Sequence, residues 1–396
     1  MFDLLSSRYL PDLVVFSLAS LLQTGAVVAL RREPAVRRRP TLCRAFIPAL
    51  GVSLLSAAMG FLLRVEAIAH RLPNWCASWV RGLTLMWAFF SILLIAAYAA
   101  SRLLPRIEPG HSPSRRHFLV SAKTVLLGLP AAAVGYGTFI QRFNLTLREQ
   151  RIEIPNLPPD LHGLRITQLT DIHLSPFLSV RDLERAVEMA NETRPHLMLV
   201  TGDLITTEND PLDDCLDRMA RLRADAGVFG CMGNHEIYAG TEEYTQRQAA
   251  RRGMRFLRQE SAILRFGAAS LNLAGVDYQR RSRPYLAGAE RLLAPGAFNV
   301  LLSHNPDVFP AAARKGFPLT FSGHTHGGQV QVEILGQNLN VARFFTPYVD
   351  GLYHKSNAAI FVSRGIGTIG LPARLGALPE VAAITLVRAA GGDQVS

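Results

Sequence analysis

Five short segments of this chain combine carboxylate, amide and imidazole side chains. In order they are Asp171-Ile172-His173, Gly202-Asp203, Gly233-Asn234-His235-Glu236, Ser303-His304-Asn305 and Gly323-His324-Thr325-His326. These donor types suit divalent ions. Imidazole binds Zn, Fe, Mn or Ni, and carboxylate and amide oxygens favour the harder members of that set. Asp171, His173, Asp203 and His326 can hold one ion, and Asp203, Asn234, His304 and His324 a second. Asp203 then bridges the pair through its two oxygens. In an extended segment, residues two apart point to one side. Asp-x-His and His-x-His therefore each bring two donors to one place. Gly202, Gly233 and Gly323 permit tight turns and close backbone approach. Asp-x-His or Gly-Asp alone carries little information, whereas the ordered set of five carries much.

Each segment directly follows an apolar run of β-strand composition. Strands are expected at 164–170, 197–201, 228–232, 262–266, 271–276, 299–303, 319–322, 360–363 and 382–387. Helices are expected at 180–192, 212–223, 241–252 and 307–315. The alternation implies α/β layering. In such a fold the turns past the strand carboxyl ends gather along one edge, where ligand sites form. Cys215 and Cys231 have no zinc-like spacing and read as buried free thiols.

These motifs resemble the calcineurin-like metallophosphoesterase family. More narrowly, the chain is similar to bacterial membrane-associated members with a twin-arginine-type signal ahead of the catalytic domain. Asp307, Gly327-Gly328-Gln329, Ser363-Arg364-Gly365-Ile366-Gly367 and Pro379-Glu380-Val381 also match that subgroup. The resemblance covers about 144–396 and the apolar segment before it. It implies a four-layer αββα sandwich around two mixed sheets, and two divalent metals (Mn, Fe, Zn or Ni) sharing the ligands named above. It also implies hydrolysis by a metal-bridged hydroxide. His235, beside Asn234, is read as general acid to the leaving oxygen or as a stabiliser of transition-state charge. Glu236 either orients His235 or serves as a plain cap.

The N-terminal third is of another kind. Hydrophobic residues make up 49% of the chain, charged residues 18%, and mean hydropathy is +0.16. That excludes intrinsic disorder as the main state, and four Cys exclude a disulfide scaffold. Residues 1–140 hold 15 Lys+Arg against 5 Asp+Glu, and residues 141–396 hold 27 against 26. The net charge of +11 therefore lies beside the apolar runs, as topology signals do. No nucleic-acid partner is expected. Four membrane spans are expected, at 13–30, 42–63, 83–104 and 118–140. The division is 1–143 for the membrane region and 144–396 for the catalytic domain. Arg-rich loops between the first two and last two spans should be cytoplasmic. That places the catalytic domain on the outer face of a bacterial inner membrane. Ser114-Arg115-Arg116-His117-Phe118-Leu119 resembles a twin-arginine signal, and also fits a positive-inside pair.

The substrate is expected to be a phosphodiester or pyrophosphate, small or lipid-linked. Arg280, Arg281, Arg283 and Arg364 are candidate substrate contacts, because guanidinium suits bidentate phosphate binding. A UDP-2,3-diacylglucosamine pyrophosphatase activity, implied by some relatives, is the enzymatic alternative. A membrane sensor that binds a phosphorylated ligand without turnover is the non-enzymatic one.

Overall fold

A computed structural model describes residues 71–105, 112–280, 284–334 and 337–389, with scattered helical positions between 17 and 59. The chain forms two compact units: 1–138 with 370–372, and 139–369 with 373–396.

In the first unit, α1 spans Asn74–Ser101 and α2 spans Pro113–Phe139. Among the described residues these two helices are long and apolar enough to cross a membrane. Several of their hydroxyls bond within the helix: Thr84 Oγ1 donates to the Val80 carbonyl at 2.8 Å, Ser91 Oγ to that of Trp87 at 2.7 Å and Thr124 Oγ1 to that of Val120 at 2.9 Å. An apolar surrounding demands such pairing. Both helices begin earlier than the sequence pattern suggests. Trp75 and Trp79 lie within the opening turns of α1, which starts directly after Pro73. Arg115 and Arg116 lie in the first turn of α2. The expected spans 13–30 and 42–63 fall mostly outside the described residues.

The second unit holds β1 (Thr146–Ile154), β2 (Arg165–Leu169), α3 (Val180–Glu192), β3 (Leu197–Val200), α4 (Leu212–Met219), β4 (Val228–Gly230), α5 (Asn234–Ala239), α6 (Glu242–Arg251) and β5 (Met254–Phe256). It continues with β6 (Glu260–Phe266), β7 (Ala269–Gly275), β8 (Phe298–Leu302), α7 (Phe309–Lys315), β9 (Leu319–Ser322), β10 (Gln331–Ile334), β11 (Gln337–Asn340), β12 (Gly351–Lys355), β13 (Ala358–Val362) and β14 (Glu380–Arg388). Among the described residues these make two six-stranded mixed sheets, ordered β1-β14-β2-β3-β4-β5 and β12-β13-β9-β8-β7-β6, and the hairpin β10–β11.

The two sheets pack face to face. Ile166, Leu199 and Phe229 of the first meet Leu273, Val300 and Phe321 of the second in one buried cluster. On its other face the first sheet is covered by α3 and α4, through Leu183, Val187, Leu216 and Met219. On its other face the second sheet packs against α7 through Ala311 and Ala312. Strands buried on both faces read as continuous apolar runs, as the fully buried Leu-Met-Leu-Val of β3 does. β2, β3 and β4 run parallel, as do β8 and β9. Their carboxyl ends carry all five motif segments.

Candidate metal centre

The turns after β2, β3 and β9 are abrupt. Asp171, His173, Asp203, His324 and His326 all have positive φ, between 46° and 77°. The extended geometry expected for Asp-x-His and His-x-His is therefore not what aims these side chains. Non-glycine residues rarely adopt this region, and it persists only where surroundings impose it. Here they do: the His324 amide donates to the Asp171 carboxylate at 2.9 and 3.0 Å, and the His235 amide to Asp203 Oδ1 at 2.9 Å. Glycine is required at two contacts. A Cβ on Gly233 would strike Asp203 Oδ1, and one on Gly323 would strike Asp171 Oδ2.

The donors converge. His326 Nε2 lies 3.2 Å from Asp171 Oδ1 and 3.2 Å from His173 Nε2. Asp203 Oδ2 lies 3.4 Å from His173 Nε2 and 3.1 Å from His304 Nε2. Donor atoms of Asp171, His173 and His326 lie within 4.8 Å of one another, as do those of Asp203, His304 and His324 and those of His173, Asp203 and His235. Asp203 and His173 thus connect the groups. The Asn234 Oδ1 and His304 Nε2 atoms are buried without a hydrogen-bond partner.

The electrostatics suit cations. Burial would drive the proton off His304, but Asp203 and Asp171 outweigh it and raise its pKa to about 10. The pocket at Nε2 therefore favours positive charge. Burial, aided by neighbouring imidazoles, lowers His324 to about 3 and puts His326 well below the usual range. Both stay neutral, the form that ligates metal. Asp203 is buried, yet His304 and His235 hold its pKa well below normal, so it is ionised. His304 Nδ1 lies 2.7 Å from the Thr201 carbonyl and donates to it, so Nε2 is the inward position at which a metal ion would replace the second proton. Two imidazole nitrogens facing each other at 3.2 Å, two carboxylates and an orphaned amide oxygen fit divalent ions.

His235 is half-buried, at the start of α5, with Nδ1 2.7 Å from the Thr206 carbonyl. Its Nε2 is thereby left for proton transfer. Glu236 is fully buried and does not bond His235. Its carboxylate accepts from the backbone N–H groups of Gly233 (2.8 Å), Asp203 (2.9 Å) and Leu204 (2.7 Å). It therefore clamps the Asp203 turn to the Asn234 turn.

Arg364 sits in an ion pair: its Nε lies 2.7 Å from Asp350 and 3.8 Å from Glu380. Arg280 is exposed, with its guanidinium 5.7 Å from the centre of the Tyr238 ring. Arg281 and Arg283 fall outside the described residues. Cys215 and Cys231 are buried free thiols.

Sequence reasoning missed two features. Arg374 is fully buried and donates to the carbonyls of His326, Arg364, Gly365, Gly367 and Ala377. A lone arginine in the apolar run Leu371–Leu378 was its signal. Two tyrosine rings also flank the centre. Tyr238 packs 5.8 Å from His235, and Tyr278 packs 5.3 Å from His324 and 6.2 Å from His304. Tyr238 lies three residues past His235, on the same helical face.

Residues 164–328 match the family model described as calcineurin-like phosphoesterase. The chain is 29% identical to the Bacillus subtilis metallophosphoesterase YkuE, over 69% of this chain and 97% of that protein. It is 30% identical to a Bos taurus transmembrane protein with metallophosphoesterase domain, over 67% of this chain and 64% of that protein. Among solved structures, phosphopantetheinyl hydrolase from Mycobacterium tuberculosis overlays with a TM-score of 0.31 at 13% identity, covering 48% of this chain and 95% of that one.

Proposed function

We propose a reaction from one premise: this chain carries a calcineurin-like metallophosphoesterase domain and is a phosphoesterase hydrolase. In this reading it cleaves a phosphodiester or pyrophosphate bond at a centre of two divalent ions, on a membrane. The observation that carries the reading is the convergence of His173, His326, Asp171, Asp203 and His304 within hydrogen-bonding range, at the ends of parallel strands. Asp171, His173, Asp203 and His326 would hold one ion, and Asp203, Asn234, His304 and His324 the other. Bound there, the ions supply Lewis-acid charge to a phosphoryl group and make water acidic enough to act near neutral pH.

The chain's own groups do the rest. Asp203, kept ionised, faces both ligand groups. Glu236 fixes its turn through three backbone N–H groups. The Thr206 carbonyl accepts from His235 Nδ1 and so orients the ring; burial lowers the pKa of His235, so it would first take a proton on Nε2 from solvent and then give it to the departing oxygen. Tyr238 and Tyr278 line the side on which His235 stands, so the leaving group departs past them. The apolar helices α1 and α2 support a membrane location, and the Arg-rich loops favour an outward catalytic domain.

The test is hydrolysis of an aryl phosphodiester and a monoester by the full chain in detergent, chelated and then given Mn²⁺, Zn²⁺ or Mg²⁺. Turnover should return with metal, in proportion to ions bound per chain by elemental analysis. A chelated chain that takes up no metal and hydrolyses neither ester would sink the proposal.

A further inference from the structure

The catalytic unit carries an exposed aromatic tip. Residues Val341–Phe344 form a single 3-10 turn after β11. Phe344 is 89% exposed and Phe345 67%. Phe344 is the most exposed large hydrophobic among the described residues. Arg343, beside it, is also exposed. In water this arrangement has no benefit: apolar area of this size contributes only once it leaves solvent.

The base of the tip is rigid. Asn340 is buried; its Oδ1 accepts from the Ala342 N–H at 2.9 Å and its Nδ2 donates to the Gly327 carbonyl at 2.8 Å. Thr346 Oγ1 donates to Asp307 at 2.6 Å, and Thr325 Oγ1 donates to the Val349 carbonyl. Gly327 directly follows His326, so the tip is tied to the turn that carries two metal ligands.

A second chain of bonds leads from the tip to the point where the polypeptide leaves its apolar helix. Gln331, paired with Asn340 across the hairpin, donates through Nε2 to the Gly376 carbonyl at 2.6 Å. The Gly376 N–H donates to Gln141 Oε1 at 2.9 Å. Gln141 stands two residues after the end of α2. The tip and the arrival point of the apolar segment are thus joined through one short hydrogen-bonded path.

We propose that the Arg343-Phe344-Phe345 tip is an interfacial wedge that inserts into the lipid surface and seats the catalytic unit on it. The occupant is the bilayer that α2 reaches. Phenylalanine on an interfacial surface buries at the boundary between headgroups and acyl chains, and an adjacent arginine pairs with lipid phosphates. The consequence for substrate rests on the hydrolase reading above. A seated domain works on a phosphoric ester held in the lipid surface, in preference to one free in solution.

The test uses the full chain in nanodiscs of phosphatidylcholine and phosphatidylglycerol. Phe344→Trp adds one emitter to the three tryptophans of the chain. The difference in emission from the parent chain should be quenched by lipids brominated on their acyl chains. Added emission that brominated lipid leaves unchanged overturns the proposal. So does added emission that is blue-shifted but unquenched, which means that a protein covers the tip. This arm needs no enzymatic activity, so it stands apart from the hydrolase reading. In the second arm, Phe344→Asp should raise the apparent KM about tenfold for an acyl-anchored aryl phosphodiester in the disc, and leave that for soluble bis-p-nitrophenyl phosphate unchanged. Equal KM values for parent and variant on the anchored ester overturn the substrate consequence. If neither ester is hydrolysed, the hydrolase reading fails and the quenching alone decides the wedge.

Discussion

The two halves of the donor cluster use the same side-chain types but are held in opposite ways. Asp171, His173 and His326 are all buried, and behind them lies Arg374, a cation that gathers five backbone carbonyls. Asp203, His304 and His324 form the more open half, since His324 is only half-buried and the Tyr278 ring flanks it. Behind Asp203 lies Glu236, an anion that gathers three backbone N–H groups. Both ions are fully buried, and neither is placed to touch substrate. The difference shows how such turns are stabilised. A turn that leaves the regular ladder strands its backbone polar groups, and an unpaired buried group costs about 1–3 kcal/mol. A buried guanidinium satisfies one turn's stranded carbonyls, and a buried carboxylate satisfies another's stranded amides. Burial lowers Arg374 only to about 10 and raises Glu236, so Arg374 stays charged at neutral pH.

The sharpest way to break this comparison is at the group that both halves share. Asp203→Asn should lower metal-dependent turnover by about 10³-fold, the weight of several kcal/mol of charge stabilisation. Elemental analysis should show fewer than the parent's ions per chain. Retention of both turnover and stoichiometry would mean that Asp203 does not connect the halves. His235→Ala comes next: if the imidazole acts on the leaving oxygen as proposed, kcat should fall about 10²-fold with metal content unchanged. A drop in bound metal would instead make His235 a ligand.

Smaller effects test the two supports separately. Glu236→Gln keeps the shape but leaves fewer acceptors for three amides, and metal affinity should fall about 10- to 100-fold. Arg374→Met should act on the other half, through the His326 turn, and should also lower stability by about 3 kcal/mol as charged hydrogen bonds vanish. Metal titration followed by thermal melting separates the pair. If both variants weaken both ions equally, the halves are one unit. The least effect is expected at Arg280→Ala. This side chain is exposed, so KM should change by at most about fivefold, and a larger change would assign it a direct phosphate contact.

Much of the site was legible because its metal donors stand two to four residues beyond strand ends that are themselves apolar runs. α3 and β9 have the bounds read from the sequence, because Ser179 caps the first in a capping box and Pro318 precedes the second. The α/β layering followed from strand–helix alternation, and the two mixed sheets from the family resemblance. Other elements were hidden by composition. β1 reads Thr-Leu-Arg-Glu-Gln-Arg-Ile-Glu-Ile, too polar for a core strand, because it is an edge strand with alternating exposure. β5 has three residues and α5 six, below what periodicity resolves. The left-handed backbone of Asp171 and His173 had no signal, since nothing in an Asp or His residue demands positive φ. The capping alternative for Glu236 is the one that holds, since its carboxylate accepts from the Gly233 N–H at the start of α5; the role of Arg374 was illegible because its partners are backbone atoms, which every residue has.

The place of β14 has a further consequence. It lies between β1 and β2, pairing parallel with one and antiparallel with the other, from Glu380 to Arg388. Thr146 thus waits for Glu380, 234 residues later. Among the described strands β1 has no other neighbour, and the sheet carrying the Asp171 and Asp203 turns is split until β14 arrives. Such distant pairing is slow to form. While the ribosome still holds the last strand, the first sheet cannot close. The catalytic unit therefore completes this sheet only once β14 has emerged, and until then it depends on whatever shields β1 and β2 from the wrong partners.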